Sequence, residues 1–186
     1  MTLLIFGVVL FAGVHFIPSL APGVKSGAME RMGEGGYKGI FSLLLLASFA
    51  LMITGWRSAE PAYLYALPAA VRWPAMGLIA LGFVVMGAST RNSRIRLLVR
   101  HPQLTGVILW SIGHLLINGD SRSVVLFTGL GLWAAIEIML INRREGACAK
   151  EPPPSWGAEV VTLVIAAVVI GVFTWAHPWL SGVAII

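Results

Sequence analysis

The sequence predicts an all-α polytopic membrane helix bundle, and three observations predict it. First, 58% of the 186 residues are apolar and only 11% are charged, where a soluble domain carries roughly 25% charged residues. The mean hydropathy is +0.86. Second, the apolar residues gather in six long blocks separated by short polar gaps rich in proline and glycine. Third, no block alternates polar and apolar residues, as barrel strands must. Backbone groups in hydrocarbon have to be satisfied within their own segment, so unbroken apolar runs mean helices. At about 20 residues per span, the chain holds about six transmembrane helices in one domain, residues 1–186. This composition excludes a soluble globular enzyme, a disordered tail and a nucleic-acid-binding domain. The partner it implies is membrane lipid, and the net charge of +5 reads as loop charge rather than as a nucleic-acid footprint.

The blocks follow in order. The first is Thr2–Leu20, and no basic residue precedes it. It therefore reads as a retained helix and not as a cleaved signal peptide. Pro22-Gly23 ends it, and Gly33–Gly36 reads as a flexible loop turn. The second block is Gly39–Trp56 and the third is Leu67–Ala88, with Pro61 between them. Pro102–Ile117 is the fourth. It is short, and crosses fully only if helix extends from about Leu98 to Gly119; otherwise it is re-entrant or interfacial. Val124–Ile141 and Ala158–Ala176 complete the set, with Pro152–Pro154 as a stiff turn between them.

Basic residues give an orientation. The first, third and fifth gaps hold Lys25, Arg31, Lys38, Arg91, Arg94, Arg96, Arg100, Arg143, Arg144 and Lys150, ten of the thirteen. Arg57, Arg72 and Arg122 lie in the even gaps. Basic loops stay in the cytoplasm, so both termini are expected on the outer, periplasmic side of a bacterial cytoplasmic (inner) membrane. Cys148 is the only cysteine, which excludes an intrachain disulfide and a multi-cysteine metal site.

Polar groups inside lipid are costly, so they mark function or tight pairing. His15 has two readings: a metal or haem ligand, since neutral imidazole is the commonest metal ligand, or a histidine bonded across helices. Arg100 and His101 precede Pro102, which suits the first turn of a helix. They read as a binding point for a phosphate or propionate, or as an interfacial cap. His114 shares a helix face with Trp110 and Asn118 at i, i+4 spacing, and Asn118 is placed to orient its imidazole. His101 and His114, 13 apart, point about 220° away from each other and cannot share a metal on a straight helix. Gly106 and Gly113 admit a neighbouring helix or a flat macrocycle. Glu137 either snorkels toward Arg143 and Arg144 or serves as an acid/base with a burial-raised pKa. Glu159 and His177 sit at helix ends and are expected to face water, and Asn118-Gly119-Asp120 is a turn. Phosphate loops, CxxC, HExxH and GxSxG motifs are absent, so hydrolase and NTPase chemistry has no support.

Several of these motifs, in order, carry a resemblance. They are His15-Phe16-Ile17-Pro18-Ser19, Gly36-Tyr37-Lys38-Gly39, Arg100-His101-Pro102, Gly113 through Asp120, and then Trp133 and Glu137. Over nearly its full length the chain resembles the NnrU family of bacterial membrane proteins, named for genes near those of nitrite and nitric oxide reduction. That family is similar to the 15-cis-zeta-carotene isomerase, a membrane enzyme that uses haem b. The resemblance implies haem b with His15 and His114 as the iron ligands, and Arg100, His101 and Asn118 as further cofactor-binding residues. It implies a role in denitrification beside a respiratory reductase partner. The alternatives are a haem-dependent cis-trans isomerase of a lipid-soluble polyene, or a non-catalytic assembly protein. Ser111 stands where the isomerase has a cysteine, and the isomerase's long N-terminal region has no counterpart. The Arg-His-Pro helix also looks like a segment of isoprenylcysteine-type methyltransferases. Depth sets a condition on the ligand pair: with a helix end at Leu20, His15 lies about 8 Å from the cytoplasmic face and His114 about 20 Å. A first helix running through Val24 would bring them within about 6 Å.

Overall fold

The computed structural model describes residues 1–90, 93–146 and 152–183; Arg91, Cys148 and Lys150 lie outside them. Among the described residues seven helices follow one another: α1 (Thr2–Leu20), α2 (Pro22–Ser58), α3 (Arg72–Gly87), α4 (Ile95–Leu98), α5 (Pro102–Ile117), α6 (Ser121–Glu145) and α7 (Trp156–Ser181). A 3₁₀ turn, Ala69–Val71, leads into α3, and α6 carries a π-helical stretch over Val124–Thr128. Among the described residues there is no strand, only a single bridge between Tyr63 and Asp120. The chain is an all-α membrane helix bundle.

Five helical segments are long and apolar enough to cross a membrane: Thr2–Leu20, Pro22–Ser58, Ala69–Gly87, Ser121–Glu145 and Trp156–Ser181. The sixth, α5, has 16 residues, about 24 Å of helix against a hydrocarbon core of about 30 Å. The extension to Leu98 and Gly119 does not form. Pro102 begins the helix after a non-helical His101, and Asn118 ends it in extended geometry. α2 departs furthest from its expected span. Pro22 starts it directly after Ala21, and it bends at Gly33 (φ 75°, ψ 166°). Only glycine takes up that backbone region readily, so the glycine-rich stretch is a kink inside a helical segment and not a loop turn.

Small residues set the helix pairs. α1 lies against α2 through Gly7 and Gly55: an added Cβ at Gly7 would sit 2.8 Å from Met52 N, and one at Gly55 2.7 Å from Leu4 Cα. Leu4, Val8 and Met52 form the buried core there. α3 lies against α5 through Ala75, Gly82, Gly106 and Gly113. α6 stands between these pairs. Its Gly129 meets Val8 of α1 and its Gly131 meets Ser111 of α5. Two residues apart is about 200° around a helix, so α1 and α5 occupy opposite faces of α6. α7 leans on α3, with Phe83 and Phe173 5.4 Å apart. Trp56 packs against the Leu4, Val8 and Met52 core and reaches the end of α7, donating from Nε1 to Ser181 O at 2.9 Å. At the opposite, basic end of the bundle Arg144 meets Pro18 at the end of α1, Arg100 meets Gly146 after α6, and Arg94 lies over Trp156 at the start of α7.

Two carboxylates fasten the helix ends. Glu159, expected at water, is buried at the start of α7. It accepts from Ser93 Oγ at 3.1 Å and from the Arg94 backbone N–H, which satisfies a charge that would otherwise be orphaned. Asp120 caps α6, accepting from Arg122 N at 2.9 Å, Ser123 N at 3.1 Å and Ser123 Oγ at 2.7 Å. Burial alone would raise its pKa; the Ser123 and Arg122 donors and the Arg122 charge outweigh that and hold it below 3.8. A depressed folded-state pKa means stability that is complete above pH 3.8 and lost as pH falls further. Asp120→Ala should cost about 1 kcal/mol at pH 7. Asp120→Asn should keep part of the cap but show a smaller loss of thermal stability between pH 5 and pH 3 than the wild type. Equal losses in the two proteins would refute this assignment.

Candidate functional site

The first candidate centre is built where α1, α2 and α6 meet. His15 sits one turn after Phe11, and its Nδ1 lies 2.8 Å from Phe11 O. A carbonyl only accepts, so the hydrogen is on Nδ1 and the neutral ring keeps its lone pair on Nε2. That nitrogen has no hydrogen-bond partner among the described residues. Three aromatic rings pack around the imidazole: Phe11 at 4.2 Å, Trp133 at 4.8 Å and Phe41 at 5.5 Å between centroids.

One turn toward the basic end lies a polar layer. Ser19 follows His15 by four residues, Glu137 follows Trp133 by four, and Tyr37 precedes Phe41 by four on α2, which runs the other way. Ser19 Oγ donates to Glu137 Oε1. Glu137 is only 7% exposed. Snorkelling toward Arg143 and Arg144 is therefore not what it does; Arg144 instead donates to Pro18 O at 3.1 Å. Glu137 Oε2, Trp133 Nε1 and Tyr37 OH are buried with no partner among the described residues. Buried polar atoms are normally satisfied, so the unpartnered Trp133 Nε1 beside the imidazole and Glu137 Oε2 one turn on stand out. Tyr37 also lines a cavity of about 390 Å³, together with Pro18, Lys25, Lys38, Phe41 and Ser42.

His114 occupies a different setting. Its Nδ1 lies 2.9 Å from Trp110 O, so its free lone pair is again on Nε2. The ring stacks on Phe127 (4.3 Å, 23°) and tilts against Trp110 at 4.6 Å. Asn118 does not orient the imidazole: its Nδ2 donates to the His114 backbone carbonyl at 3.2 Å, because the i−4 carbonyl has already taken the ring hydrogen. Gly106 and Gly113 receive a helix and not a macrocycle, since α3 fills both. Ser111 Oγ is buried without a partner among the described residues.

The structure does not bring His15 and His114 together. His15 packs at Trp133 and His114 at Phe127, six residues or about 9 Å apart along α6. α1 and α5 moreover lie on opposite faces of that helix. Metal–imidazole bonds of about 2 Å require two ligating nitrogens about 4 Å apart. α1 stops at Leu20, with Ala21 non-helical (φ −132°, ψ 61°), so the extension through Val24 that would reconcile the depths is absent. The residues fit a group held by the single imidazole of His15. They do not fit one iron held by both. Among the described residues, no group of three or more histidine, cysteine or acidic side chains forms a metal cluster.

Arg100 and His101 lie at the basic end, on the α5 side of α6. Arg100 donates to Gly146 O at 2.6 Å and pairs with Glu145 at 3.7 Å. His101 Nε2 donates to Asn142 Oδ1 at 2.9 Å. With Ser89, Arg96 and Gln103 they line a second cavity of about 250 Å³. They tie the start of α5 to the end of α6 and stand apart from His15. Ser19, Tyr37, Lys25 and Lys38 are not among the site residues that the sequence predicts, although Ser19 lies one helical turn from His15.

No curated protein and no solved structure shows significant similarity to the chain. The ordered motifs of the site do have a match: the profile described as NnrU protein aligns with residues 3–185. That span takes in α1 through α7 and every residue of the two imidazole settings, and the chain belongs to the NnrU family.

Proposed function

We propose that the protein is a haem b-binding membrane protein with a role linked to nitrite and nitric oxide reduction, and that His15 is the imidazole that meets the iron. One observation carries this reading: His15, inside an apolar helix, has its Nδ1 hydrogen committed to Phe11 O and its Nε2 left without a partner among the described residues. A fixed tautomer is how ligating histidines are prepared. Phe11, Phe41 and Trp133 hold the ring and keep water from it. Ser19 fixes the Glu137 carboxyl one turn away. Bound haem supplies a redox-active iron.

The test is the absorption spectrum of the protein purified in detergent after growth with haem precursor. A Soret band is expected. Its absence, even after haem is added to the pure protein, overturns the cofactor. For the cellular role, deleting the gene in a denitrifying host should slow nitrite or nitric oxide consumption; unchanged consumption overturns that link.

We further propose that the basic end faces the cytoplasm of a bacterial inner membrane, on the strength of the ten-to-three division of basic residues. Alkaline phosphatase fused after Ile186 should then be active, and a green fluorescent fusion there dark. The reverse pattern would invert the orientation.

A further inference from the structure

We infer that the basic end of the bundle holds a separate anion site, in which Arg96, Arg100 and the first amides of α5 bind a phosphate group carried by an anionic phospholipid or by a soluble phosphate compound. The assignment does not depend on what His15 holds. Arg96 comes from α4, Arg100 from the link between α4 and α5, and α5 itself begins at Pro102. Arg96, Arg100, His101, Gln103 and Leu104 all line the cavity of about 250 Å³. Two guanidinium groups at one cavity suit phosphate, because each presents a planar fork of donors and keeps its charge.

The two arginines differ. Arg100 is held in place: its side chain is 27% exposed, donates to Gly146 O at 2.6 Å and pairs with Glu145 at 3.7 Å. A guanidinium carries five N–H donors, so these bonds position it without exhausting it. Glu145 is shared with Arg144 at 3.1 Å, which leaves positive charge in surplus here. Arg96 is exposed and enters no ion pair among the described residues. The start of α5 adds uncharged donors. His101 makes no side-chain cap there, so the N–H groups of Gln103 and Leu104 at the cavity wall are left for a ligand. The far end of the same helix is closed by the protein, with Tyr65 OH donating to Leu115 O at 2.6 Å and Asn118 Nδ2 to His114 O at 3.2 Å. Leu98, 90% exposed, lies two residues from each arginine. Apolar surface beside two cations suits a phosphate that carries an acyl chain.

The test uses the full-length protein, delipidated in a neutral detergent, and two ligands that differ only in the phosphate: dioleoyl phosphatidate and dioleoylglycerol. Native mass spectrometry should show phosphatidate binding about tenfold more tightly. A second arm measures uptake of radiolabelled inorganic phosphate by equilibrium dialysis. The Arg96→Gln/Arg100→Gln variant should lose the preference. Arg96→Gln alone, which breaks no ion pair among the described residues, should reduce it and guards against a variant that misfolds. Lys25→Gln/Lys38→Gln removes the same charge elsewhere at this end and should keep it. A phosphatidate preference that the arginines carry assigns the phosphate to lipid; saturable uptake of inorganic phosphate that they carry assigns it to a soluble compound. Neither form of binding in wild type overturns the site. So does binding that survives in both arginine variants, or that falls equally in the lysine variant.

Discussion

His15→Ala is expected to abolish the Soret band of the purified protein, while His114→Ala keeps it with unchanged position and shape. The asymmetry follows from the two settings. His15 presents a free Nε2 and packs against Trp133, whose Nε1, like Glu137 Oε2 one turn on, has no partner among the described residues. His114 is packed between Trp110 and Phe127 on the far side of α6. Removing His114 therefore costs packing: an aromatic pair is worth about 0.5–1.5 kcal/mol beyond its area, and His114→Ala should lower thermal stability by about 2 kcal/mol. Removing His15 leaves a gap that free imidazole can fill, so imidazole added to His15→Ala should restore part of the band. Electron paramagnetic resonance gives an independent readout, because a single imidazole leaves ferric iron predominantly high-spin. A folded His114→Ala protein without the band, or the low-spin signal of two imidazoles in wild type, would return both histidines to one iron.

The limits of what the chain discloses follow from where each signal originates. The bounds of α1 and of α5 are legible to the residue, because proline marks them: Pro22 follows the break at Ala21, and Pro102 opens α5. The long α2 is not. Hydropathy detects only the part inside lipid, whereas helix continues through the polar stretch from Pro22 to Lys38 and bends where Gly33 allows it. His15 and Glu137 are legible because a polar group in hydrocarbon needs a reason. Tyr37, whose ring lies beside Phe41, is not, since the register of α2 against α1 decides what it meets, and that register is a tertiary property. Asn118 is misread for a local reason: the imidazole of His114 turns back to the Trp110 carbonyl and leaves Asn118 only the backbone. The end of α1 at Leu20 is the condition under which the two imidazoles stay at different depths.

Gly106→Val is expected to destabilise the bundle by about 3 kcal/mol, at the upper end of typical overpacking costs. A Cβ at position 106 would lie 2.5 Å from Gly82 O and 2.9 Å from Met86 N. Both are backbone atoms of α3, so no rotamer change relieves the clash and the helices must separate. The contact is reciprocal, since a Cβ at Gly82 would lie 2.8 Å from Gly106 O and 3.0 Å from Trp110 N. In lipid, close approach of this kind is a main source of helix association, because apolar burial offers no gain over the acyl chains. Valine's better helix propensity returns only about 0.5 kcal/mol. Gly171→Ala on α7, where nothing lies within 4 Å of an added Cβ, is the control and should be neutral or slightly stabilising. Denaturation by dodecyl sulfate in mixed micelles reads all three; a Gly106→Val protein as stable as wild type would mean that α3 and α5 do not touch there. The same variant connects packing to the cofactor. The clash moves Trp110 and with it the ring of His114, but Phe11, Phe41 and Trp133 belong to the other face of α6. Whatever fraction of Gly106→Val remains folded should hold haem as tightly as wild type, which separates the α3–α5 seam from the site at His15.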